Sequence, residues 1–138
     1  MTIAAELGQV SRFGSARQLM GYCVAVPSED SSGKRVRRGG ITKAGNPHLR
    51  RIVGEAAWSY RRPPCIWYGL RRRQESISEE AKEIAWKAQH RLHKRYMKLG
   101  AAGKAQGKII TAVTRELLGF IWAIGNRAET TVSQRTAA

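Results

Sequence analysis

The sequence predicts an all-α fold: a compact bundle of about four to five helices with an exposed loop rich in Gly, Ser and Arg. Three observations carry this prediction. Apolar residues recur at helical spacing in separate stretches near 47–62, 79–99 and 108–125. Capping and breaking residues punctuate those stretches at Ser15, Asn46-Pro47 and Pro63-Pro64. No alternating run is long enough to mark a strand. With 138 residues the chain suits one domain around one core, taken here as residues 1–125, with 126–138 a polar, disordered tail.

In chain order, Thr2 to Leu7 reads as the last turns of a helix that Gly8 stops. Such an opening means either that an upstream element is missing or that this stub packs loosely. Ser15 followed by Gln18 forms a capping box, and a helix over about Ala16 to Val24 turns Leu19, Met20 and Cys23 inward until Pro27 ends it. The segment Pro27 to Gly45 has few apolar residues and many glycines and serines, so it reads as a surface loop. Asn46 then caps a helix with Pro47 in its first position, where the missing N–H costs nothing. Leu49, Ile52, Val53, Ala56, Ala57 and Tyr60 make its apolar stripe, and Arg50, Arg51 and Arg61 fall outside it. Pro63-Pro64 stops that helix. Ile66, Trp67, Tyr68 and Leu70 precede Arg71, Arg72 and Arg73, where the aromatics either cover the core edge or stack on bases. A long helix over about Glu79 to Leu99 carries acids at its start and bases at its end, as the helix dipole favours. The last helix, about Lys108 to Gly125, has the most apolar stripe and is expected at the centre of the core.

Charge is the outlying property. Lys+Arg is 25 against Asp+Glu 10, a net charge of +15, which points to a polyanion partner, nucleic acid before membrane. The start of the chain lacks a basic region followed by a hydrophobic run, so it does not read as a secretory signal. Two cysteines, Cys23 and Cys65, are too few for a disulfide framework, and a reducing cytoplasm is the simpler setting.

The chemistry-bearing residues narrow the function further. His90 and His93 share a helix face without an evident third ligand, so a metal site has little support. A two-metal nuclease needs clustered carboxylates, whereas Asp30 is the single aspartate and the glutamates are scattered. There is no phosphate-binding Gly-x-x-x-x-Gly-Lys-Ser/Thr loop. The loop from Pro27 to Gly45 keeps two readings open. It is either a solvated linker or a segment that orders on phosphates through Lys34, Arg35, Arg37, Arg38 and Lys43. Within it, Ser32 is the candidate nucleophile, because arginines around a serine stabilise charge developing on phosphorus oxygens.

The run RFGSARQLMGYCVAVPSEDSSGKRVRRGGITKAGNPHLRRIVGEAAWSYR continues through AWKAQHRLHKRYMKLGAAGK and RELLGFIWAI. Together with Arg12-Phe13, Ser32-Gly33, Gly40-Ile41-Thr42-Lys43 and Gly45-Asn46, it resembles the C-terminal serine domain of the insertion-sequence one-ten, one-sixteen and nine-oh-two transposases, the bridge-RNA-guided recombinases. The resemblance implies DNA transposition. Ser32 would be the serine that attacks a DNA phosphodiester, with Ser31 as its neighbour. Lys34, Arg35, Arg37, Arg38, Lys43, Arg50 and Arg51 would be the nucleic-acid-binding surround. It implies DNA and a guide (bridge) RNA as partners, a homo-oligomeric complex, and a cytoplasmic, nucleoid-associated setting without membrane. It also implies a RuvC-like domain whose acidic ligands hold magnesium. That domain is not found in these 138 residues, and Val24 stands where the family pattern has Gly. The alternative is a nucleic-acid-binding fragment or regulator without chemistry.

Overall fold

The computed structural model describes residues 3–23, 27–32, 35–41 and 46–137, with side chains described in 3–23 and 46–137. Six α-helices are found among these residues: α1 (Ile3–Leu7), α2 (Ala16–Tyr22), α3 (Pro47–Trp58), α4 (Tyr68–Arg73), α5 (Glu79–Ala101) and α6 (Gln106–Ala137). Two 3-10 turns, Val10–Arg12 and Ser59–Arg61, extend the helical path. The all-α bundle predicted from periodicity is the architecture observed, with α6 packed against α2, α3 and α5.

The sequence signals act at atomic level. Ser15 caps α2 by accepting from Gln18 N, and the Gln18 side chain reaches back to accept from Gly14 N at 2.7 Å. Asn46 Oδ1 accepts from His48 N at 3.0 Å and from Leu49 N at 3.1 Å, satisfying two of the donors that a helix start leaves open. Ser78 caps α5 through Ala81 N. Gly8 takes φ 62°, the left-handed conformation that ends α1.

The core joins Leu7, Val10, Leu19 and Cys23 to Leu49, Val53 and Ala57 of α3, Ala88 and Leu92 of α5, and Ile109, Val113, Leu117 and Leu118 of α6. Leu118 is fully buried although it falls outside the stripe read from the sequence, because α6 is enclosed on several sides. At 32 residues, α6 is long and apolar enough to cross a membrane by length and composition alone. The packing of its apolar residues against α2, α3 and α5 makes it the core helix of this bundle.

Two sequence expectations need correction. The segment read as a loop contains an antiparallel hairpin, β1 (Pro27–Ser32) with β2 (Arg35–Ile41). Its strands lack an apolar alternation, so only the backbone ladder and the cross-strand pairs identify it. The last helix also does not end at Gly125, and residues 126–137 continue it where a disordered tail was expected. Gly125 is the place where Val10 sits against α6, since a Cβ there would lie 2.8 Å from Val10 Cγ2. One turn further on, the Glu129 carboxylate accepts from Val10 N at 2.6 Å and Ser11 N at 2.8 Å. These contacts tie the first 3-10 turn to the extended helix.

Candidate nucleic-acid interface

The hairpin lies in the chain between α2 and α3, and the facing ends of these two helices meet. Asn46 N donates to the Tyr22 carbonyl at 3.3 Å. Beside this closure the Arg12 guanidinium lies over two rings, 4.6 Å from the centroid of Phe13 and 4.9 Å from that of Tyr22. The rings themselves are 5.3 Å apart and tilted by 53°. Trp122 Nε1 donates to the Phe13 carbonyl at 2.9 Å, fixing this corner to α6. The packing of Arg12 on these rings was not anticipated from the sequence. Its available signal was Phe13 at the end of one turn and Tyr22 at the end of α2.

The hairpin register sets Ser32 opposite Arg35, Ser31 opposite Val36, Asp30 opposite Arg37 and Glu29 opposite Arg38. Directly opposed residues share a face, and positions alternate along each strand. Positions 30, 32, 35 and 37 therefore form one face of the ribbon, and 29, 31, 36 and 38 the other. Ser32 is the last residue of β1 and Arg35 the first of β2. Lys34 and Lys43 lie outside the described residues.

The other sequence-predicted cations divide. Arg51 is exposed on α3, and its Nε donates to Glu55 one turn on at 3.0 Å. Both side chains stand in solvent, so the pair contributes about 0.3–0.5 kcal/mol and yields readily to a phosphate. Arg50 is half-buried. The basic end of α5 is partly occupied: Arg91 Nε donates to Glu116 of α6 at 2.8 Å, and Arg95 Nε forms an ion pair with the same carboxylate at 3.3 Å. That shared carboxylate neutralises part of the charge which the sequence alone assigns to the helix end.

Among the described residues, no three His, Cys, Asp or Glu side chains come together. The described carboxylates thus do not fit a divalent cation, and His93 is used structurally, its Nδ1 donating to the Tyr60 carbonyl at 2.9 Å. Burial pushes the Cys23 thiol up to about 11, which removes it as a nucleophile.

Residues 1–66 match the Transposase IS116/IS110/IS902 family. The transposase match covers α1 to α3 and the whole hairpin, the stretch that carries the Ser32-Gly33 step. The chain is also 50% identical over 133 residues, 96% of its length, to the Sinorhizobium fredii (strain NBRC 101917 / NGR234) protein named "Putative transposase y4qE". That alignment covers 34% of the relative, so the chain spans about a third of the length of the transposase relative it matches. No solved structure matches the chain.

Proposed function

We propose that this chain works in DNA transposition as a DNA-binding serine domain of an insertion-sequence transposase. The observation that carries this reading is the register of the hairpin: Ser32 closes β1 opposite Arg35, on the ribbon face that also holds Arg37, within the stretch matched by the transposase family. Ser31, by contrast, stands opposite Val36 on the other face. Lys34, Arg35, Arg37, Arg38, Lys43, Arg50 and Arg51 form the phosphate-binding surround, and the net charge of +15 steers the polyanion to it.

In this reading the Ser32 hydroxyl oxygen forms an ester with a DNA phosphorus. A phosphodiester P–O bond breaks, the serine proton passes to solvent or a base, and the released sugar oxygen takes up a proton. Arginines near the phosphate counter the charge that builds on its oxygens. In this reading the magnesium chemistry is supplied by a RuvC-like domain outside these residues. The acting assembly brings together that domain, DNA, a guide RNA and further copies of the chain, in the cytoplasm at the nucleoid. A second reading is a nucleic-acid-binding fragment or regulator without chemistry, in which the net charge of +15 serves binding alone.

The test is Ser32→Ala in the chain supplied with a RuvC-like partner and duplex DNA. The wild-type chain should form a protein–DNA adduct that survives denaturing detergent, and the variant should form none while binding the duplex as before. An adduct that persists in Ser32→Ala overturns the assignment. Absence of any adduct with the wild type favours the second reading. If about six phosphates are contacted, log K should fall against log salt with a slope near −5, and a flat response would exclude polyanion binding.

A further inference from the structure

The segment between α3 and α5 carries an arrangement that the hairpin reading does not use. From Trp58 to Arg73 the sequence holds Arg61, Arg62, Arg71, Arg72 and Arg73 and no carboxylate. None of these five arginines forms an ion pair among the described residues, whereas Arg51, Arg91, Arg95 and Arg127 all do. The segment is anchored at two points: the Tyr60 carbonyl accepts from His93, and Cys65 N donates to the Gln89 side chain at 3.1 Å. Beyond the second anchor, Trp67 caps α4 and Tyr68 begins it. Both are left in solvent, 76% and 82% exposed, and Trp58 before the anchors is 42% exposed.

Aromatic rings of this size ordinarily serve to bury area. Two adjacent rings held almost fully in water therefore need another explanation, and the helix supplies one. Tyr68 and Arg72, both in α4, are four residues apart and share a helix face, and Trp67, the N-cap residue of α4, is followed at the same interval by Arg71, so both exposed rings have cations close by in the chain. A flat π surface next to a cation suits a flat base joined to a phosphate. It suits single strands in particular, because the bases of a duplex are already stacked on one another.

We infer that Trp67, Tyr68, Arg71 and Arg72 form a stacking surface for single-stranded nucleic acid, separate from the duplex-binding hairpin. This deepens the proposed function: it rests on nucleic acid being the partner and adds the strand form and the residues that read it.

The experiment compares the full chain with its Trp67→Ala/Tyr68→Ala variant by fluorescence anisotropy. The probes are an oligothymidylate of about 12 nucleotides and a duplex of similar length. The double variant should lose at least about tenfold in affinity for oligothymidylate and change less than about twofold for the duplex. Its melting curve should match that of the wild type, since both rings are exposed. An Arg71→Gln/Arg72→Gln variant should reduce the oligothymidylate salt slope by about 1.4, from two lost phosphate contacts. Unchanged oligothymidylate binding in the ring variant overturns the inference, as does an equal loss on both probes. Binding to phosphatidylserine vesicles that the ring variant abolishes, with oligothymidylate binding intact, assigns the surface to membrane and overturns it too. A wild-type chain that binds neither nucleic acid would instead sink the proposed function itself.

Discussion

The amide of Asn46 donates to the carbonyl of Tyr22, joining the end of α2 to the start of α3. The same Asn46 also caps α3 with its side chain. One residue thus ties the end of α2 to the start of α3 and caps the helix that follows.

Replacing Asn46 by Ala keeps the backbone bond to Tyr22 and removes the cap from His48 N and Leu49 N. The expected loss is about 1 kcal/mol, or about 3–5 °C in melting temperature for a domain of this size. Urea and thermal unfolding measure it, and an unchanged midpoint would mean that the cap contributes nothing.

Gly125→Ala tests how closely the first 3-10 turn approaches α6. An added Cβ would meet Val10 Cγ2 at 2.8 Å, and overpacking of this kind costs about 1–3 kcal/mol, against a helix-propensity gain of up to about 1 kcal/mol. The single variant should be destabilised. In a Val10→Ala background the same change should stabilise, because the clash is gone and the propensity remains. Denaturant midpoints across the four-member cycle decide this, and additive effects would refute it.

Glu129 gives a pH signature. Hydrogen bonds from the Ser11 side chain and from the Val10 and Ser11 amides hold its carboxyl below the usual carboxylate range, against a smaller opposing effect of burial. A depressed folded-state value means that the charged form is the stabilising one. The contribution is complete above about pH 5 and is lost as pH falls through the folded-state value. Wild type should therefore exceed Glu129→Gln in stability by a constant margin near neutrality, and the margin should shrink below about pH 4. A margin independent of pH down to strong acid would show that the ionised carboxylate is not what matters.

Glu116 restrains two arginines. Glu116→Gln should cost less than about 1 kcal/mol, since Arg91 and Arg95 are largely solvent-facing. It should raise duplex affinity at low salt by about two- to fivefold through the freed charge. Unfolding curves and a salt-dependent binding series measure both effects. A fall in affinity would mean that the Glu116-held geometry is itself part of the contact.

The helical part of this protein was legible in the sequence because its signals are local. Asn46-Pro47, the Ser15 and Gln18 pair and the α3 stripe each act within a turn or two of themselves. The hairpin was not legible because PSEDSSGKRVRRGGI has no alternating apolar pattern, and its pairing, Asp30 opposite Arg37 and Glu29 opposite Arg38, is set by a backbone register that joins separate parts of the segment. Gly125 misled for a related reason. Whether a glycine stops a helix or admits a neighbour depends on what approaches it, and Val10 comes from the far end of the sequence. Trp67 and Tyr68 left two readings open, and their exposure favours the one in which they meet a partner.

The clasp of Glu129 on Val10 and Ser11 spans 119 residues of sequence. The turn and the carboxylate that secures it come from opposite ends of the described helices, so the contact closes only once the helices between them have packed. Chains shortened to end before Glu129 should show the turn at Val10–Arg12 open to proteases, and protection should return when the chain is extended through Glu129.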